Sequence, residues 1–178
     1  MREIVLPEQK PALEWVRGRV LQKVSPKRRH SRLQAWWVAH LGEWAKTRGE
    51  AGPEWRFRLA PPNQRIRPLV PDVAFLSYDR MGDASEDELE APRMAPNVAV
   101  EILSPDDRHA DVAHKIGVYL ASGTDAVIVV DPFARTVAVH ARDRTRTFGE
   151  SDRFEAAALP EFTFHVAEMF DVLRVRRP

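Results

Sequence analysis

A glutamate stands inside an apolar run at Pro96-Asn-Val-Ala-Val-Glu101-Ile-Leu-Ser-Pro105. Unpaired in a dry strand, its charge would cost on the order of several kcal/mol, so the sequence implies a compensating partner. Upstream, Val70-Pro-Asp72-Val-Ala-Phe-Leu76 repeats the pattern of an acid on an apolar strand, and Lys115 follows downstream on a helical stretch. Two carboxylates with a backbone carbonyl make an adequate shell for a hard divalent cation such as Mg²⁺, which takes oxygen ligands and keeps waters. A lysine beside such a shell can orient a water or stabilise negative charge on a phosphate. On spacing alone two readings stay open, a metal site and a buried Glu–Lys pair without chemistry.

These side chains need elements that make them converge. In a strand Asp72 and Ala74 share a face opposite Val73 and Phe75, while Glu101 shares a face with Ala99 and Leu103, opposite Val98, Val100 and Ile102. If the strands are neighbours, both acids meet on one side, and the small Ala74 and Ala99 leave room there. Val112, Ile116, Tyr119 and Leu120 mark the apolar stripe of a helix over 108–122, which Lys115 borders or lies within. Ser31 is the expected cap of an earlier helix running to about Thr47, ended by Gly49 to Gly52. Glu54–Leu59 alternates like a strand, and 79–95, acidic and rich in small residues, reads as a mobile surface loop. Ala126–Asp131 and Thr136–Ala141 form a hairpin around Asp131-Pro132, and Leu159–Phe164 is extended before a helix at Val166–Leu173. The order describes one mixed α/β (α+β) domain over residues 1–178, a sheet flanked by helices.

Composition narrows the function classes. The 178 residues contain no cysteine, which removes disulfides, thiolate zinc sites and cysteine nucleophiles. There is no signal-peptide pattern and no run near the roughly 18 apolar residues of a membrane span, so a cytoplasmic protein is expected. The net charge of +1 hides an asymmetry: residues 1–70 hold 15 Lys/Arg against 6 Asp/Glu, and residues 71–178 hold 12 against 20. A basic half suits phosphates and an acidic half suits cations, unless the two intermix on the folded surface. Lys27-Arg28-Arg29-His30 is the segment best placed to touch nucleic acid. Trp36, Trp37 and Trp44 read as core or as a dimer surface. Among the 8 glycines none forms a phosphate-binding loop, Ser104 lacks a nucleophile-elbow pattern, and His109 and His114 make a poor zinc pair.

Pro71-Asp72-Val73, Val100-Glu101-Ile102-Leu103-Ser104-Pro105, Lys115 with Tyr119, and Val129-Val130-Asp131-Pro132 together resemble the Uma-two family of restriction endonucleases. That family is often described only as a domain of unknown function, within the PD-(D/E)XK nuclease superfamily. Glu14 and Gly18 near the start, His30 entering the long helix, and Leu159-Pro-Glu-Phe162 near the end extend the resemblance over nearly the whole chain. It implies a restriction-endonuclease-like fold with a four-stranded mixed core sheet, and Mg²⁺-dependent hydrolysis of DNA phosphodiesters. Asp72, Glu101 and Lys115 would be catalytic, with Asp72, Glu101 and the Ile102 carbonyl on the metal and Glu14 as a possible further acid. The acid-X-Lys pattern is broken by Leu103, which transfers the lysine role to Lys115 on the helix. A homodimer is expected, with the Trp-rich helix at 33–44 as its surface. The alternative is a nuclease-fold module that binds nucleic acid or regulates without cutting.

Overall fold

The computed structural model describes residues 3–23 and 25–175. A six-stranded mixed sheet forms its centre, in the spatial order β10-β9-β8-β7-β6-β3. Those strands are β3 (Gly49–Pro53), β6 (Val73–Ser77), β7 (Val98–Ile102), β8 (Ala126–Asp131), β9 (Thr136–His140) and β10 (Thr145–Phe148). Only β7 and β8 run parallel, and the chain between them is the helix α4 (His109–Ala121). The resemblance implied four strands. The two added at the edges are β3, whose glycines read as a helix terminus, and β10, whose Thr-Arg-Thr-Phe is exposed at all but its last residue.

Strand parity sorts the core into two layers, as the alternation predicts. Val73, Phe75, Val98, Val100 and Ile102 point to one face, where they meet Leu33, Trp37 and Leu41 of α1 (Arg28–Ala45). The hairpin of β11 (Arg153–Ala156) and β12 (Leu159–His165) and the helix α5 (Val166–Asp171) complete that layer. Ala74, Leu76, Ala99, Val127 and Val129 point to the other face, against Val118 and Tyr119 of α4. The hairpin of β4 (Phe57–Leu59) and β5 (Arg67–Leu69) also packs there, with Val16 of β1 (Leu13–Val16). β1 pairs with β2 (Arg19–Gln22) through a turn at Arg17 and Gly18, both at positive φ.

Several boundaries differ from the sequence expectation. α1 begins at Arg28 rather than after Ser31, with Lys27 at its N-cap position and no side-chain cap. Its tryptophans belong to this chain's own core: Trp37 is fully buried, and Trp36 and Trp44 pack against Phe164, Phe75 and Phe162. Trp36 and Trp44 stay partly exposed, so the helix face expected as a dimer surface is only partly taken up by the chain's own core. Residues 79–95 form no mobile loop. They carry α2 (Tyr78–Met81) and α3 (Glu86–Glu90), the latter held by a capping box between Ser85 and Glu88. Arg80 pins this stretch by donating to the carbonyls of Ala95, Pro96 and Gly123 and to Asp125. Among the described residues, no helix is long and apolar enough to cross a membrane.

Candidate active site

The acids converge where the strand ends meet the β1–β2 hairpin. Asp72 immediately precedes β6, and its Oδ2 accepts a 2.7 Å hydrogen bond from the Ile102 amide at the end of β7. Glu101 sits one residue earlier on β7, on the face of Ala99, so the two carboxylates reach the same cavity. That cavity has a volume of about 240 Å³ and is also lined by Glu14, Lys23, His30 and Lys115. Asp72, Glu14, Glu101 and Lys115 are exposed to only 3, 4, 7 and 8%.

Lys115 lies within the buried face of α4, the inner of the two placements its spacing allowed, since the buried residues there are Asp111, Lys115, Val118 and Tyr119. Its Nζ lies 2.6 Å from Glu101 Oε2 and 3.1 Å from Glu14 Oε2. The Tyr119 hydroxyl, one turn on, donates to Glu101 Oε1 at 3.0 Å. Glu14 comes from strand β1, and its Oε1 accepts from the Val70 amide at 2.8 Å. Asp72 has a separate cation: Lys23 Nζ lies 2.5 Å from its Oδ1 and donates to the Val70 carbonyl at 2.9 Å. His30 Nε2 lies 3.1 Å from Asp72 Oδ2, and Gln34 donates to the Asp72 carbonyl at 2.9 Å.

The segment Lys27–His30 is thus divided. His30 turns into the acid cavity, while Lys27 meets Asp106 at the surface, Arg28 donates to the Leu173 carbonyl, and Arg29 lies over Phe133. Lys23, Gln34 and the role of Tyr119 escaped the sequence reading. Lys23 follows an exposed four-residue strand and precedes a basic run, so it looks solvated. Its signal is chain proximity to Glu14 across a tight Arg17-Gly18 turn, which brings β2 back alongside β1.

Charge balance sets the state of each group. Burial pushes the Glu101 carboxyl up to about 7; Lys115 opposes the shift, and Asp72 and Glu14 add to it. Burial also acts to raise Asp72, but Lys23 and the His30 hydrogen bond outweigh it and hold Asp72 well below the usual carboxylate range. Burial disfavours a charged Lys115, yet Glu101, Glu14 and Asp72 hold it above its ordinary value. Burial and Glu101 raise the Tyr119 hydroxyl, which stays a donor.

Three carboxylates facing one cavity make a hard, oxygen-only donor set, and the upward shift of Glu101 comes first from burial, with Asp72 and Glu14 adding to it against the pull of Lys115. Among the described residues, no three acidic or histidine side chains cluster tightly enough to cage an ion alone. A cation here would be held by one or two carboxylates and take its remaining ligands from waters and substrate phosphate, the usual habit of Mg²⁺. The residues present therefore fit a divalent cation on Asp72 and Glu101.

Comparison with known proteins bears on the family and the fold. A crystal structure from Anabaena variabilis ATCC 29413, described as a "putative nuclease belonging to DUF820", superposes with a TM-score of 0.84. It is 27% identical, and the match covers 95% of each chain. A comparison with curated proteins gives no match. The Uma2 family model, described as "Putative restriction endonuclease", matches residues 4–167, from before the Glu14 strand to the start of the last helix, and the chain belongs to that family.

Proposed function

We propose that this chain is a divalent-metal-dependent nuclease that hydrolyses DNA phosphodiester bonds. The observation that carries the reading is the burial of Asp72, Glu101 and Lys115 around one cavity, reached from two adjacent strand ends and a helix. Family membership and the nuclease-like neighbour support it. Asp72, Glu101 and the Ile102 carbonyl would hold Mg²⁺ or Mn²⁺, with Glu14 steadying the adjoining lysine. When bound, such a cation supplies Lewis acidity toward a phosphodiester oxygen and makes water a better nucleophile. Tyr119 and Lys115 fix the Glu101 rotamer, so its carboxylate faces the cavity in one orientation. Lys115 presents fixed positive charge where the pentacoordinate phosphate gains negative charge. A water oxygen attacks phosphorus, the P–O bond in line with it breaks, and the departing oxygen takes a proton.

The test is incubation of the purified protein with supercoiled plasmid and with circular single-stranded DNA. Cleavage should require Mg²⁺ or Mn²⁺, stop on chelation and vanish in Glu101→Gln. Full cleavage by Glu101→Gln would remove Glu101 from the chemistry. A second reading, a nuclease-fold module that binds without cutting, is favoured by one observation: Asp72 and Glu101 each already have a lysine partner. DNA binding with no cleavage under any divalent metal would decide for it. A homodimer remains our proposal for duplex substrates, since two-fold symmetry places one site on each strand. A monomeric mass across micromolar concentrations would refute it.

A further inference from the structure

We propose that an apolar pocket beside the acid cavity receives one unpaired nucleobase of the DNA strand whose phosphate lies over Asp72 and Glu101. The chain would then act on single-stranded or locally unpaired DNA. The inference rests on the nuclease reading for its orientation and extends it to a substrate class.

The pocket has a volume of about 300 Å³ and is walled by Leu103, Pro105, Pro132 and Phe133. Its position is the first reason for the assignment. His30, Leu103 and Ser104 line both this pocket and the acid cavity, so a strand crossing from one to the other passes over shared residues. The second reason is the exposed aromatic. Phe133 is a large apolar side chain left 51% exposed, on the turn between β8 and β9. The turn is fixed rather than loose, because Asp131 Oδ1 accepts from the amides of Phe133 and Ala134 at 2.8 and 2.9 Å. The Arg29 guanidinium lies 5.1 Å from the ring centroid, and among the described residues it has no carboxylate partner. An exposed ring with an arginine beside it is the pairing on which nucleic-acid bases stack, whatever their sequence.

Charge agrees with a polyanion at this rim. Lys27, Arg28 and Arg29 open α1, a helix of 18 residues whose first turn has no acidic residue and no side-chain cap, so the positive end of its dipole faces the same opening. A wider hollow elsewhere, about 980 Å³, offers the contrast. Its lining includes Glu8, Glu50, Glu54, Glu86 and Glu90, which would repel a phosphate chain. A duplex keeps its bases stacked and paired, so only a strand with a base free to turn outward can use the Phe133 pocket.

The test is fluorescence anisotropy in chelator, so that no cleavage intervenes. The probes are labelled oligothymidylate, an abasic oligomer of equal length, and a blunt duplex. The wild-type protein should bind oligothymidylate on the order of tenfold more tightly than the abasic chain, the scale of one stacked base. Phe133→Ala should erase that difference while leaving abasic affinity unchanged, and Phe133→Tyr should restore it. Equal affinity for the base-bearing and abasic chains, an unaltered difference in Phe133→Ala, or no measurable binding of either would overturn the proposal. So would displacement by free thymidine monophosphate as strongly as by the oligomer, which would make this a nucleotide pocket. Because the readout needs no metal, base discrimination can hold while cleavage fails, or fail while cleavage holds.

Discussion

Burial holds the Glu101 carboxyl at about 7 against the pull of Lys115, and Asp72 and Glu14 push in the same direction as burial. Its ordinary value is 4.5, so between about 4.5 and 7 the folded protein binds a proton there that the unfolded chain does not. The favourable contribution is therefore full at low pH and lost as pH rises through 7. Glu101→Gln removes the strained charge but keeps an acceptor for Tyr119. The metal-free variant should melt above wild type at pH 8, by up to about 3 kcal/mol, with the gap closing by about pH 5. Lower stability at pH 8 would mean that the Lys115 pair outweighs burial. Asp72 should behave oppositely. Its carboxyl is held low, so its contribution is present at neutral pH and lost only in strong acid. Asp72→Asn leaves Lys23 buried without a counter-charge, and denaturant titration at pH 7 should show a loss of roughly 3–5 kcal/mol. A neutral result would put Lys23 in solvent. Asp72, Glu101 and Lys115 were legible as charges on apolar elements. Lys23 was not, and His30 was read only as a nucleic-acid contact, because local sequence shows a basic stretch and says nothing of what a distant strand end brings to it.

Two elements show how the sheet sets the site and where its edge hides from sequence. β3 pairs with β6 in register from Gly49 opposite Ser77 to Pro53 opposite Val73, which steadies the strand that begins just after Asp72. A Cβ at Gly49 would come 2.1 Å from the Leu76 carbonyl oxygen, a backbone atom that cannot turn away. Gly49→Ala should thus cost about 3 kcal/mol, at the upper end of overpacking, and lower the urea midpoint accordingly. An unchanged midpoint would show that β3 can move off β6. Gly, Ala, Gly and Pro lack the β-branched signal of a strand, so Gly49-Glu-Ala-Gly-Pro53 reads as a helix ending although tertiary pairing makes it an edge strand. The buried strands β7 and β8 were plain in sequence, since continuous Val and Ile runs flanked by turns have few other uses. α4 was legible as a helix with Lys115 at or within its apolar stripe, but the burial of Asp111 was not, because an aspartate does not count as apolar in a periodicity. Lys115→Met keeps the volume and removes the charge shared by Glu101 and Glu14. It should destabilise by roughly 3–5 kcal/mol at pH 8, less below pH 6, where Glu101 takes up a proton.

Across the molecule, the basic first half and the acidic second half do not form opposing surfaces. They interlock: Lys23 meets Asp72, Arg19 meets Asp111, Arg48 meets Glu161, and in the reverse sense Lys115 meets Glu14. The asymmetry in sequence is largely consumed by folding, and the cavity keeps a surplus of acid at its centre. That surplus gives a test of the whole site independent of catalysis. A ligand that binds the folded state alone stabilises it by RT ln(1 + [L]/Kd), about 2.7 kcal/mol at a hundredfold excess over Kd. Mn²⁺ or Mg²⁺ should therefore raise the melting temperature of the wild-type chain in a concentration-dependent way. The rise should be smaller at pH 6 than at pH 8, because a proton on Glu101 competes with the cation. Glu101→Gln should start higher at pH 8 and gain little from metal, whereas Lys115→Met should start lower and gain more than wild type, since the cation replaces the lost lysine charge. Parallel gains in all three proteins would place the ion away from these residues and leave the acid–lysine cluster as a packing device.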